Sequence, residues 1–205
     1  MKTILITAFE PFGGSARNSS LDTLRLLPDE IGGVRLAKRE MPVEYVRCGE
    51  ALVRAAEEIE DLAAILCLGL AEGRAAITVE YLAVNVRHAS IPDNAGRLCR
   101  YEKIDEDGPA ARFVTLPVER LVNRLTECGI PASPSFSAGT YACNSILYAA
   151  LAWGEVHSVP AGFVHLPLSA EIAEAEGKTG RVPTLAQRVL TEGVAEILGV
   201  IAEGL

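Results

Sequence analysis

Ala63-Ala64-Ile65-Leu66-Cys67-Leu68-Gly69 is an uncharged run, too short for an ordinary helix and closed by a glycine. Such a run reads as a strand buried on both faces, the pattern of a parallel sheet covered by helices above and below. Working upstream, Ile4-Leu5-Ile6-Thr7-Ala8 has the same character, and a further strand is expected over residues 34–39, after the turn Ile31-Gly32-Gly33. Between these runs Ser19-Ser20 can cap a helix that runs to residue 27, where Pro28 interrupts. A second helix is expected over residues 45–59, with Cys48, Leu52, Val53, Ala56 and Ile59 on one face. Strand, helix, strand, helix, strand by residue 69 implies an α/β domain with right-handed crossovers.

Downstream the rhythm changes. Residues 77–86 read as one longer strand, residues 91–96 are dense in turn formers, and residues 96–109 are polar and irregular. A short strand is expected over 112–116. Pro117 then opens a helix to 125, with Gly129 just past its end. Ser137-Ala138-Gly139-Thr140-Tyr141-Ala142-Cys143-Asn144 follows an extended stretch and leads into a helix, for which Trp153-Gly154 is the expected end. Residues 161–167 form a strand leading into a loop, and a last helix spans about 184–202. No internal repeat or linker divides the chain.

With 205 residues, 49% hydrophobic and 22% charged, the composition is that of a folded domain, which buries roughly 70% of its unfolded surface. The net charge of -8 and the lack of a basic stripe argue against a nucleic-acid surface. No apolar window is long enough to cross a membrane, and residues 1–8 read as a first buried strand rather than a signal peptide. Five scattered cysteines without a C-x-x-C pair disfavour disulfides or structural zinc and suit a reducing cytoplasm. No spacing for a metal or dinucleotide is present, so no cofactor is expected.

Cys143 stands where a strand turns into a helix. Unpaired N–H groups and the helix dipole there favour a thiolate, and the same N–H groups could hold an oxyanion. Cys48, Cys67 and Cys128 lie on apolar faces and read as packing residues, whereas Cys99 in its polar loop reads as exposed. Of three histidines, His88 and His157 read as solvated, while His165 ends an apolar strand beside Pro167. Glu80 lies on a strand apolar on both sides, so it either faces solvent at an edge or holds a buried partner. The strand ends expected to carry ligands are Phe9-Glu10-Pro11-Phe12, Gly69 to Arg74, the turn before Cys143, and His165-Leu166-Pro167. A nucleophile, a base and an orienting acid are thereby available, and triads do not depend on chain order.

Several blocks now fall into register. Phe9-Glu10-Pro11-Phe12-Gly13-Gly14, Gly73-Arg74, Ile77-Thr78-x-Glu80, Ala83-Val84-Asn85, Ile91-Pro92-Asp93-Asn94-x-Gly96, Asp107-Gly108-Pro109-Ala110-Ala111, Ala138-Gly139-Thr140-x-x-Cys143-Asn144 and Phe163-Val164-His165-x-Pro167 resemble the pyroglutamyl peptidase I family of cysteine peptidases. The resemblance implies a single α/β domain over residues 1–205. Its open, twisted, mixed but mostly parallel sheet would be flanked by helices on both faces. It also implies removal of an N-terminal pyroglutamyl residue from peptides, with Cys143 as nucleophile, His165 as base and then acid, and Glu80 as orienter. Phe9, Phe12, Asn18, Leu70 and Ala142 fall at substrate-binding positions, and a cytosolic homotetramer or dimer is the implied assembly. The chain departs from the family at Ser19, at Leu70 where Gln is frequent, and at Ser90 where Arg is usual. A relative that binds a lactam without cleaving it, or an amidase for another cyclic amide, are the competing readings.

Overall fold

The apolar runs lie side by side at the centre of one sheet. The computed structural model describes residues 1–205. In chain order the elements are β1 (Thr3–Phe9), α1 (Ser19–Leu26), β2 (Glu30–Ile31), β3 (Val34–Met41), α2 (Arg47–Glu57), β4 (Leu62–Leu70), β5 (Ile77–Glu80) and β6 (Leu82–Val84). There follow β7 (Ala111–Phe113), α3 (Val118–Glu127), β8 (Ala132–Ser135), α4 (Ala142–His157), β9 (Ala161–Leu166), β10 (Leu168–Ser169), α5 (Ala170–Ala175), β11 (Thr184–Leu185) and α6 (Gln187–Glu203). The main sheet has seven strands in the order β2-β3-β1-β4-β9-β5-β8. The pairs β1/β3, β1/β4, β4/β9 and β5/β8 are parallel; β2/β3 and β5/β9 are antiparallel.

Alternation along β4 shows why both faces must be covered. Ala64, Leu66 and Leu68 enter a cluster of 26 buried residues beneath α1, α3 and α6, while Ile65 and Cys67 enter one of 21 beneath α2 and α4. At about 1.5–3 kcal/mol for each fully buried aliphatic side chain, neither face could be left to water. Small residues set the closeness of the second layer: a Cβ on Gly49 of α2 would lie 3.1 Å from Ala149 Cβ of α4. No helix is long and apolar enough to cross a membrane.

The expected mixed, mostly parallel sheet is present, with several local differences. Residues 77–86 are not one strand. Glu80 is the last residue of β5, and at Tyr81 the chain turns out of the main sheet, its N–H bonded to Ser135 O and its carbonyl to Val114 N–H. Continuing as β6, it pairs instead with β7, which is shorter than the 112–116 strand expected. The helix expected over 45–59 is trimmed at both ends to α2. Asn18, not Ser19 or Ser20, caps α1, its side chain accepting from Ser20 N–H at 3.0 Å. The two-residue strands and the six-residue α5 were not foreseen, being too short to leave a periodic signal.

Gly154 does not end α4. The helix runs on to His157, and Ser158 takes a left-handed conformation at φ 57° while its N–H caps Gly154 O. The chain reverses so tightly that a Cβ on Gly154 would fall against the Val159 carbonyl oxygen. The glycine makes room for the reversal. Two cysteines also exchange places with expectation: Cys128 is exposed just past α3, and Cys99 is buried where its loop folds back toward Tyr45. Gly154→Ala is expected to destabilise the protein by about 1–3 kcal/mol, despite the better helix propensity of alanine. Urea unfolding measures this, and an unchanged midpoint would contradict the close-approach explanation.

Candidate active site

Cys143 is the second residue of α4. Tyr141, at the helix N-cap, offers no side-chain hydrogen bond, and no acidic residue occupies the first turn, so that end of the helix is open to an anion. The thiol lies over the end of β4. A Cβ built on Gly69 would sit 2.9 Å from Cys143 Sγ and 2.7 Å from Phe163 Cζ, so only glycine fits there. Gly69 is also the register partner of His165 on β9, whose ring lies 4.6 Å from that of Phe163. One glycine thus has the candidate nucleophile and the candidate base on its two sides.

The acid arrives from the antiparallel strand. β5 pairs with β9 so that Thr78 faces His165, which sets Glu80 two residues further along the same side. Glu80 is fully buried, and its Oε1 accepts from His165 Nδ1 at 2.7 Å and from Arg74 Nη1 at 2.7 Å. A carboxylate can only accept, so Nδ1 carries the imidazole proton and Nε2 is left with its lone pair. Burial disfavours the charge of Glu80, but the hydrogen bond and charge of His165 together with the hydrogen bond of Arg74 outweigh it and hold the carboxyl below its ordinary value. Burial likewise lowers His165, against the pull of Glu80. Burial, with the negative charge of Glu80 added, pushes the Cys143 thiol up to about 12, and Arg74 opposes this. The helix end does not yield a resting thiolate. Both shifts favour the uncharged forms of thiol and imidazole, and no hydrogen bond joins the two, as is common before a ligand tightens a site.

Around this centre the other expected residues are unequally placed. Phe9 is buried in the core below the site, and Phe12 is half-buried with its ring centroid 6.2 Å from that of Tyr141. Asn18 is nearly all structure: Oδ1 accepts from Ser20 N–H and Ser20 Oγ, and Nδ2 donates to Glu10 O at 3.1 Å. One Nδ2 hydrogen is left for any ligand. Leu70 turns its side chain to the opposite face of the sheet, onto Leu168, Ile172 and Ala173. Ala142 is buried in the core, so its methyl group is packing; only its backbone stands at the helix end.

Residues that the sequence reading passed over hold the site in place. Asn144, fully buried in an apolar helix, accepts from Val84 N–H and donates to Val84 O and Val86 O, fastening α4 to the end of β6. Asp93 accepts from Tyr45, Ala95 and Arg97 N–H groups, and Asn94 donates to Glu10 Oε1 and Pro11 O. Those bonds fold the 91–97 loop against the Phe9–Phe12 loop. Tyr141 joins them through its hydroxyl to Pro92 O at 3.0 Å. The signals available were a polar residue inside an apolar helix for Asn144 and an aromatic at a helix start for Tyr141.

Comparison with known proteins decides the family. A pyroglutamyl peptidase family model matches residues 2–203. This chain belongs to the pyroglutamyl peptidase family. A pyrrolidone-carboxylate peptidase of Coprothermobacter proteolyticus is 38% identical over 100% of this chain and 99% of its own length. The crystal structure of Bacillus amyloliquefaciens pyroglutamyl peptidase I superposes with a TM-score of 0.92 at 30% identity, covering 99% of this chain and 98% of that one. Pyrrolidone carboxyl peptidase from Thermus thermophilus superposes at 0.88 with 39% identity, covering 96% and 98%. The pyroglutamyl peptidase fold thus accounts for almost the whole chain.

For this family member the buried pair makes stability depend on pH with a definite sign. Both groups hold fewer protons folded than unfolded just below their ordinary values of 6.5 for His165 and 4.5 for Glu80. Stability from the pair is therefore full above pH 6.5 and is lost as pH falls through each window. Urea midpoints measured from pH 8 to pH 4 should fall in that order, and the loss beginning near 6.5 should be missing from His165→Gln.

Proposed function

We propose that the chain is a cysteine peptidase that hydrolyses the amide bond after an N-terminal pyroglutamyl residue through a thioester acyl-enzyme. The observation that carries the reading is the Glu80–His165 hydrogen bond meeting Cys143 over Gly69, at the uncapped start of α4. Family membership supports the substrate class. Because the resting thiol is neutral, His165 Nε2 acts as a general base: it takes the Cys143 proton as sulfur attacks the exocyclic carbonyl of the pyroglutamyl group. The oxyanion is held by N–H groups of the first turn of α4. The imidazolium, steadied by Glu80, then gives its proton to the departing amine. Water, deprotonated by His165, attacks the thioester and releases pyroglutamate and the thiol.

Specificity rests on the ring. A flat, uncharged lactam suits the aromatic surfaces of Phe12 and Tyr141 above buried Phe9, and Asn18 Nδ2 offers one donor. In this reading Leu70 and Ala142 contribute through their backbone, since both side chains face the packed interior. Residues 1–205 act as one domain, supported by a family match spanning nearly all of them. Five free cysteines support a reducing cytoplasm, and the exposed aromatics Tyr81, Phe113 and Phe136 offer a surface for the expected self-association into a dimer or tetramer.

The test is hydrolysis of a chromogenic pyroglutamyl amide under reducing conditions, beside the matching prolyl amide. Release from the first alone, lost on alkylation and in Cys143→Ala, is the expected result. Glu80→Gln should lower kcat by about 100-fold or more while leaving KM close to that of the parent. Release from neither compound by folded, reduced protein would overturn the peptidase reading in favour of a binding relative, and Ser90→Arg would then be the first restoration to try.

A further inference from the structure

We infer that Arg74 is a positioning residue, whose guanidinium locks the Glu80 carboxylate to the loop that delivers Cys143. The inference rests on the roles proposed above for Glu80, His165 and Cys143. Arg74 lies in the turn between β4 and β5, where Gly73 at φ 96° reverses the chain and directs the side chain back along β5. Its Nη1 donates to Glu80 Oε1 and to Thr78 Oγ1, and its Nη2 donates to Ser137 O at 3.2 Å. Three partners on one rigid, planar fork leave it little freedom to rotate.

What the clamp adds follows from the carboxylate it holds. Both donors to Glu80 use Oε1, while Oε2 is buried without a partner. A single bond from His165 would leave the carboxylate free to swing about that oxygen. The second donor, approaching from the turn, fixes its position. On the other side, Ser137 is tied into the nucleophile loop, its hydroxyl accepting from Gly139 N–H at 3.2 Å and its carbonyl accepting from Ser135 Oγ at 3.3 Å. Ser135 is itself the register partner of Glu80 across β5 and β8. The chain of contacts therefore runs from the base, through its acid and Arg74, to the segment leading into α4.

The cation also acts at a distance. The charged groups acting on His165 are Glu80 from β5 and Arg74 from the turn, while Cys143 from α4 lies over Gly69, the register partner of His165. Arg74 works against protonation of His165 and in favour of the Cys143 thiolate. Without it Glu80 would meet His165 unopposed, and the imidazole would hold its proton to higher pH.

Arg74→Gln and Arg74→Lys in the whole chain test this. In Arg74→Gln, kcat should fall roughly 10- to 100-fold, the loss expected for a charge-assisted bond to a buried carboxylate, with KM nearly unchanged. The acid limb of kcat/KM should move to higher pH, and the His165 imidazole titration followed by NMR should move with it. Arg74→Lys should restore the limb but only part of kcat, because one ammonium cannot hold Glu80, Thr78 and Ser137 together. Should Arg74→Gln fail to fold, Thr78→Val, which removes one anchor, should show a smaller change in the same direction. A lower stability with unmoved limb and titration would overturn the inference, as would a raised KM at constant kcat, which would make Arg74 a substrate contact. If the parent hydrolyses no pyroglutamyl amide, the peptidase reading fails; the NMR titration still decides on Arg74, since it needs no substrate.

Discussion

A charged carboxylate with no access to water governs the construction of this protein. Left alone, a buried Glu80 would take up a proton rather than remain ionised. It stays ionised because a histidine from the neighbouring strand and an arginine from the preceding turn both reach the same oxygen. Those two partners come from segments far apart in the chain, so the strand order must bring β9 between β4 and β5. The aliphatic layers on either face make that order stable, and the charge makes it specific. Replacement of such a cluster by apolar residues would cost a fold of this kind little, so its presence points to chemistry rather than to stability.

Much of the framework could be read from the chain because its signals are local. The continuous apolar runs named their own burial, and the alternation around Glu80 declared that the acid was either at an edge or in need of a partner. What could not be read depended on the third dimension. Tyr81 looks like any strand residue, yet the chain leaves the sheet there, because Ser135 and Val114 take its backbone groups. Gly154 carries the mark of a helix end, but its lack of a side chain serves a carbonyl five residues on. Cys99 and Cys128 were placed by the polarity of their neighbours, whereas a loop closing over Tyr45 decided one and a helix terminus the other. Arg74 could be assigned from the sequence to a ligand-bearing turn, but not to a partner. Only the antiparallel pairing of β5 with β9 shows what it faces.

The resting site is chemically quiet. A helix terminus would favour a thiolate, but immersion beside Phe163 and the charge of Glu80 count for more, and the proton stays on sulfur. On the reading proposed above, His165 has to take that proton as the sulfur attacks. Such an arrangement limits stray oxidation and alkylation, which attack thiolates.

The place of β9 has a further consequence for how the protein comes into being. Glu80 and His165 are 85 residues apart, and the strand carrying His165 is inserted in the middle of the sheet rather than added at its rim. A nascent chain that has not yet emerged as far as residue 166 holds β4 and β5 with no strand between them, and its Glu80 has no histidine partner. The Glu80–His165 pair therefore forms only once β9 has been made and inserted. The same gap exposes two apolar strand edges to neighbouring chains, which makes the interval before β9 arrives the time of greatest exposure to aggregation.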